Sequence, residues 1–225
     1  MGADVIGKNC GLSVCGPFLP NHKGGFPGYQ PTSLVYVNGK GQRFAAETAP
    51  YAVMPGLVKA QDHKTWGIFD EAARLRSDPS KGGLAQGWDP QFVLDSVASG
   101  DIIMGETLEV LAARLGMRPG ALRVTIEQFN EDLTAGRDRW FLRSMEELHP
   151  IAQGPFYAFP YRQTGCILTG VGPRIDPDAH VLDEDGRIVP GLFAAGEAGA
   201  GVLGERYVGG GNSVANAITM GRVAG

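Results

Sequence analysis

The chain has 225 residues, a formal net charge of −4 and 43% hydrophobic residues, a composition ordinary for one large or two modest globular domains. The acidic balance lacks the basic face that nucleic-acid capture needs, and no apolar run reaches the length of a membrane span. Cys10, Cys15 and Cys166 are too few and too scattered for a disulfide framework or a CxxC metal site.

The four histidines show no ligand spacing, so no metal is expected. Glycine is the outlier: 34 residues, about twice the usual share. Residues 1–32, dense in Gly, Pro and Asn, read as turn-laden connection. Residues 33–37 read as a strand, Asn38 to Gly41 as a tight turn and Gln42 to Glu47 as the second strand of a hairpin. Pro50 is placed to open a helix. Trp66 to Asp70 reads as a short buried strand, 77–90 as a polar loop, and Pro90 as the start of a helix carrying Phe92, Val93 and Val97.

The clearest helical signal follows. Leu108, Leu111, Ala112 and Leu115 recur at helical spacing, with Thr107 as N-cap and Gly116 as the stop. A second helix from Pro119 aligns Leu122, Ile126, Phe129 and Leu133 and ends near Gly136, so the two form an antiparallel hairpin. Residues 155–160 are extended. Short strands are expected near 164–168, 180–182 and 192–195, with Asp183 to Gly186 as a hairpin turn. Asn212 to the end reads as a helix with Val214, Ala217, Ile218 and Gly221 on its apolar face. The pattern describes a mixed α+β module to about residue 160, then a strand-rich segment closed by one helix.

Four stretches carry candidate chemistry. In Leu192 to Glu197 an apolar strand ends in a carboxylate, the place where open α/β sheets bind ligands; a solvated turn residue serves the pattern equally well. Gly199 to Gly204 spells G-x-G-x-x-G without the strand, helix and acidic residue that should follow, and reads as a close-approach loop. Tyr207 to Val214 runs three glycines into a helix, whose free N–H groups favour negative charge; a plain glycine-rich turn is the competing reading. Arg43, Glu47 and Tyr51 form the last cluster, and a tyrosine becomes a catalyst only when a partner takes its proton.

In this order the stretches 41–47, 108–136, 154–158, 188–197 and 209–225 resemble the FAD-binding 2 family, which includes flavocytochrome-type fumarate reductases and ketosteroid dehydrogenases. The resemblance runs from about residue 33 to the end and is most specific over the last forty residues. It implies an α/β fold with an α+β cap, an incomplete Rossmann-like FAD domain. Residues 1–14 would end its first segment, 15–158 would be the substrate-capping domain, and 159–225 the returning segment. The segment that grips the FAD diphosphate would precede Met1, so the chain alone is expected to be inactive.

By the same resemblance FAD is the cofactor. Glu197 would hold its ribityl chain, Asn212 and Ser213 with the helix they open would face its pyrimidine edge, and Gly196, Gly210 and Val214 would also bind it. A tyrosine at position 51, where dicarboxylate reductases carry an arginine acid, and no histidine in 165–170 turn the resemblance toward the ketosteroid branch. There Tyr207 O–H and Gly211 N–H would polarise a substrate ketone, and Tyr51 would remove the α-proton. Val208-Gly209-Gly210 departs from that branch's Pro-Gly-Pro, Asn212-Ser213-Val214-Ala215 is closer to the reductases, and Arg206 adjoins their substrate arginine. An enoate or carboxylate reductase is therefore the alternative, and a non-catalytic binding fragment the reading from another class. A small-molecule substrate, an external electron donor or acceptor and a cytoplasmic location complete the expectations.

Overall fold

The computed structural model describes residues 2–8, 11–21, 33–81, 88–204, 207 and 209–225. In chain order the elements are β1 (Val5–Ile6), β2 (Gly11–Pro17), β3 (Val35–Asn38), α1 (Met54–Lys59), β4 (Thr65–Asp70), α2 (Glu71–Leu75), α3 (Pro90–Ala98), β5 (Ile103–Gly105), α4 (Leu108–Arg114), α5 (Ala121–Thr134), β6 (Phe156–Thr169), β7 (Gly172–Pro173), β8 (His180–Leu182), β9 (Ile188–Phe193) and α6 (Asn212–Ala224). The chain is mixed α/β, as expected. It divides into two compact units: Cys15–Ala49 with Val53–Thr164, and Met1–Val14 with Pro50–Ala52 and Gly165–Gly225. The chain passes from one to the other within β2 and again within β6.

The larger unit is built on a sheet in the order β2-β6-β4-β3, with β5 also paired to β6. β3, β4 and β6 are antiparallel neighbours, Val35 opposite Ile68 and Ile68 opposite Ala158. Alternate side chains leave a strand on opposite faces, and both faces here are apolar. Tyr36, Phe69, Tyr157 and Phe159 join Met54 and Val58 of α1, Ala73 of α2 and Val93 of α3 in one core. Val35, Val37, Ile68 and Ala158 join Leu111 of α4 and Leu122, Ile126 and Phe129 of α5 in the other. Each fully buried Val, Leu, Ile or Phe contributes about 1.5–3 kcal/mol, so helices on both faces follow from the strand sequences themselves. Gly67 faces Phe159 across the β4–β6 pair, and a Cβ there would lie 2.1 Å from Phe159 Cζ.

Helix ends follow local chemistry. Thr107 Oγ1 accepts the Val110 N–H at 3.2 Å and starts α4, and Asp89 accepts the Phe92 N–H at 2.7 Å and starts α3. α5 starts two residues after Pro119, behind Gly120 at φ +77°.

Four expectations are corrected. Residues 1–32 include β1 and β2, strands whose partners β7 and β6 lie far along the chain. The 155–160 and 164–168 segments are one strand, β6. Pro50 opens no helix; α1 starts at Met54 with Pro55 in its first turn. Gln42 to Glu47 is not a strand and keeps a single bridge, Val37 to Arg43. One side chain and one remaining backbone bond replace the missing ladder. Glu47 Oε1 accepts the Tyr36 N–H at 3.0 Å, and the Gln42 carbonyl accepts the Asn38 N–H at 2.9 Å.

That carboxylate sits in a buried ionic knot. Glu47 accepts Arg43 Nε at 3.0 Å, Arg43 Nη2 at 2.8 Å and Arg143 Nη1 at 2.8 Å. Arg43 Nη2 also reaches Asp138 Oδ2 at 2.9 Å. Burial works against the Arg43 charge, but the bonds from Glu47 and Asp138 outweigh it and raise its pKa. Burial likewise pushes Asp138 up. Its bonds from Arg43 and from the Phe141 and Trp140 N–H groups win, holding it below the usual carboxylate range.

The smaller unit pairs β1 with β7 and β8 with β9, both antiparallel. The β8–β9 turn is as expected: Asp183 N–H donates to the Arg187 carbonyl at 2.8 Å, with Gly186 at φ +77°. α6 spans the expected residues, but its apolar stripe does not face a core. Val214 is 61% and Ile218 69% exposed, and Asn216 is the residue it buries. Among the described residues no helix is long and apolar enough to cross a membrane. Cys15 and Cys166 are free thiols, the first half-buried and pushed up to about 11 by burial, the second exposed. Cys10 and His22 lie outside the described residues.

Candidate functional site

Of the expected site residues of the smaller unit, Tyr207, Gly210, Gly211, Asn212, Ser213 and Val214 lie at the start of α6, and Gly196 packs one turn further along it. Gly211, at φ +94°, is the N-cap residue and offers no capping side chain. Gly209 is at φ +129°, and a Cβ at Gly209, Gly210 or Gly211 would meet nothing within 4 Å. Left-handed glycines are what bring the chain into the helix at this angle. No acidic residue stands in the first turn, so its N–H groups keep their partial positive charge.

Tyr207 is buried, with its phenol oxygen 3.3 Å from Ser213 Oγ. Tyr51 packs in the same unit, its ring centroid 6.3 Å from that of Tyr207. Tyr51 and Tyr207, 156 positions apart in sequence, are thus brought together beside the turn that Gly211 opens. The Arg43, Glu47 and Tyr51 cluster is divided: the ionic pair belongs to the larger unit and Tyr51 to the smaller. Arg206 lies outside the described residues.

Gly196 holds the end of β9 against α6. It sits at φ +62°, a Cβ there would be 3.2 Å from Ala217 Cβ, and its carbonyl accepts Asn216 Nδ2 at 3.2 Å. Glu197 is exposed and accepts the Thr169 N–H at 3.0 Å through Oε1. Val214 points outward from the first turn of α6.

Asn216 was not legible as a site residue, although its spacing from Asn212, one helical turn, was the signal available. Asn212 Oδ1 and Asn216 Oδ1 are buried acceptors without a hydrogen-bond partner among the described residues. Buried acceptors are rarely left so, because the cost is about 1–3 kcal/mol each. Two such oxygens, free helical N–H groups and glycines with open space before them fit a planar ligand carrying both N–H donors and anionic character. The isoalloxazine ring of FAD is such a ligand, and the site passes that test.

One further grouping escaped the sequence reading. Asp176, Asp178 and His180 bring their ligand atoms within 4.8 Å of one another. Asp176 Oδ1 accepts the Asp178 N–H at 3.0 Å and the His180 N–H at 2.9 Å, and Oδ2 lies 3.1 Å from His180 Nδ1. Burial pushes Asp176 up, and these bonds outweigh it and hold it low. An aspartate closing a turn accounts for the arrangement.

The sequence profile of the FAD-binding 2 family, described as an FAD binding domain, matches residues 19–214. The chain belongs to this family. Among curated FAD-binding 2 relatives it is 34% identical over 196 residues to the NADH:acrylate oxidoreductase of Vibrio harveyi, covering 87% of this chain and 18% of that protein. It is 32% identical over 222 residues to the 4-oxocyclohex-2-ene-1-carboxylate 5-dehydrogenase of Sinomonas cyclohexanicum, covering 89% and 36%. Among solved structures it superposes on the 3-ketosteroid Δ1-dehydrogenase of Sterolibacterium denitrificans with a TM-score of 0.79 and 29% identity, over 99% of this chain and 44% of that one. The chain thus spans less than half the length of each. The family's cofactor is FAD, and its members named here are oxidoreductases.

Proposed function

We propose that this chain supplies the capping domain and the substrate-side wall of the flavin site in an FAD-dependent dehydrogenase of hydrophobic cyclic ketones. The larger unit corresponds to the cap and the smaller to the returning FAD-domain segment. The observation that carries the reading is the Tyr51–Tyr207 pair, with ring centroids 6.3 Å apart, beside the glycine-led start of α6. Likeness to two cyclic-ketone dehydrogenases supports it.

FAD, when bound, supplies the acceptor for the hydride. The side chains supply the activation. Tyr207 O–H, oriented by Ser213, and the Gly211 N–H donate to the substrate carbonyl oxygen, two donors on the atom where negative charge develops. Tyr51, 46% exposed and with its own phenolic proton passed to solvent, takes the proton from the α-carbon as the neighbouring carbon gives up its hydride and the two carbons become doubly bonded. Asn212 and Asn216 would hold the cofactor ring through their unpartnered oxygens, and the N–H groups of the first turn of α6 would stabilise negative charge beside them. The second oxygen of Glu197, with no bond among the described residues, is free for a sugar-type hydroxyl.

The test is steady-state oxidation of a cyclohexanone carboxylate and of a 3-ketosteroid, with an artificial electron acceptor, by the FAD-loaded dehydrogenase in which this chain supplies these parts. Tyr51→Phe and Tyr207→Phe should each lower kcat by about 10²-fold or more with flavin content unchanged. Turnover unaffected by either substitution refutes the assignment. The likeness to an acrylate reductase, together with Arg206, favours a second reading. Under it, acrylate reduction is fast, ketone oxidation is absent, and Arg206→Gln rather than Tyr51→Phe removes activity.

A further inference from the structure

We propose that the larger unit carries a ligand site of its own, outside the tyrosine pair, for a small anion with a planar aromatic body. A groove of about 880 Å³ lies between the 39–43 turn, the α4–α5 connection, α5 and the connection that follows it. That volume is in the range of small-molecule sites, roughly 300–1,000 Å³. Its floor is fixed: Thr125 Oγ1 donates to the Gly41 carbonyl at 2.6 Å, and a Cβ at Gly41 would be 3.1 Å from Ala121 Cβ.

Two charges on its wall are already spent. Arg43 is bound to Glu47 and Asp138, and Asp132 is bound to Arg139. Lys40 and Arg118, both exposed, make no side-chain hydrogen bond or ion pair among the described residues. The groove therefore presents two uncompensated cations and no uncompensated acid.

Beside them stands Trp140, 70% exposed. Its backbone is held in place: Asp138 Oδ1 accepts the Trp140 and Phe141 N–H groups at 3.0 Å each, and Arg43 lies 5.1 Å from the Phe141 ring centroid. An indole shown to solvent from a braced backbone offers a stacking face at little ordering cost. Arg118 suits a carboxylate or phosphate through paired donors, and Lys40 adds a mobile point charge. Val124, 46% exposed, and Gln128 complete an apolar strip with one polar handle. An aromatic carboxylate matches all of these at once.

The test is calorimetric titration of the 225-residue chain with 2-naphthoate and with its neutral counterpart 2-naphthamide. Saturable one-to-one binding of naphthoate is expected, with naphthamide weaker by about tenfold or more. The Lys40→Gln/Arg118→Gln pair and Trp140→Ala should each weaken naphthoate by about tenfold. All three positions are exposed, so folding is retained and circular dichroism checks it. Lys59→Gln/Arg222→Gln, which removes two exposed cations elsewhere, should change nothing. Equal affinity for the amide, undiminished binding in either groove variant, or no saturable heat with naphthoate overturns the proposal. Because no flavin takes part, this outcome is independent of the ketone assay.

Discussion

Replacing Glu47 with glutamine should unfold the larger unit at markedly lower denaturant. Four donors converge on this carboxylate: the Tyr36 N–H, two nitrogens of Arg43 and one of Arg143. The knot holds two cations, Arg43 and Arg143, and two anions, Glu47 and Asp138; the substitution leaves two against one. The side chains of Arg43 and Arg143 are only 8% and 6% exposed, so water does little to screen the excess charge. Breaking a buried pair in this way costs about 3–5 kcal/mol. At roughly 2–4 °C per kcal/mol for a protein of this size, the melting temperature should fall by ~6–20 °C. Trp66, Trp88 and Trp140, the chain's three tryptophans, all belong to the larger unit, so tryptophan fluorescence in urea follows that unit. Adding Arg143→Met to Glu47→Gln restores the charge balance and should recover part of the loss, about 1 kcal/mol or more. A Glu47→Gln loss below about 1 kcal/mol, or no recovery in the double variant, refutes the claim that ionic balance holds this region.

Gly67→Ala should cost about 1–3 kcal/mol, because the Phe159 ring occupies the space a methyl group needs; the same urea titration measures it. The depressed Asp138 carboxyl contributes stability that is present above the ordinary carboxylate pKa, about 4, and is lost as pH falls through its lower native value. Asp138→Asn should accordingly flatten the acid limb of the stability curve. Cys15 acts in the opposite direction: its stabilising contribution is complete below pH 9.0 and lost as pH rises toward about 11. In a Cys10→Ser background, a thiol reagent at pH 8 should label Cys166 rapidly and Cys15 slowly, and Cys166→Ser should remove the fast phase.

What could be read beforehand divides by the range of the forces. α4 and α5 were legible because their caps, periodicity and stops lie within a few residues of one another. The β8–β9 turn was legible for the same reason. β2 was not, since the partner that makes it a strand is β6, about 150 positions later. The 42–47 segment had the composition of a strand. It was diverted because Glu47 meets Arg143, 96 positions away, a fact no local pattern carries. At the site, the glycine run and the two tyrosines could be named from resemblance, but Asn216 could not: its one-turn spacing from Asn212 marks no ligand site until its oxygen is seen to lack a donor. The α6 stripe misled in another way. Its periodicity is genuine, and the surface it faces is not supplied by any described residue of this chain.

The manner in which β3 ends the sheet has a bearing on solubility. Its outward N–H groups, on Tyr36 and Asn38, are taken by the Glu47 carboxylate and the Gln42 carbonyl, and the outward Leu34 carbonyl accepts Arg143 Nη1 at 3.0 Å. A bare edge strand is a template on which another chain can add its own strand and begin a fibril. Here a charged side chain occupies that template, and an incoming strand would have to bury or displace it. The knot that steadies the larger unit therefore also guards its sheet edge against other chains. Loss of the carboxylate, as in Glu47→Gln, should yield ordered aggregates, followed by thioflavin T fluorescence, before it yields a fully unfolded chain.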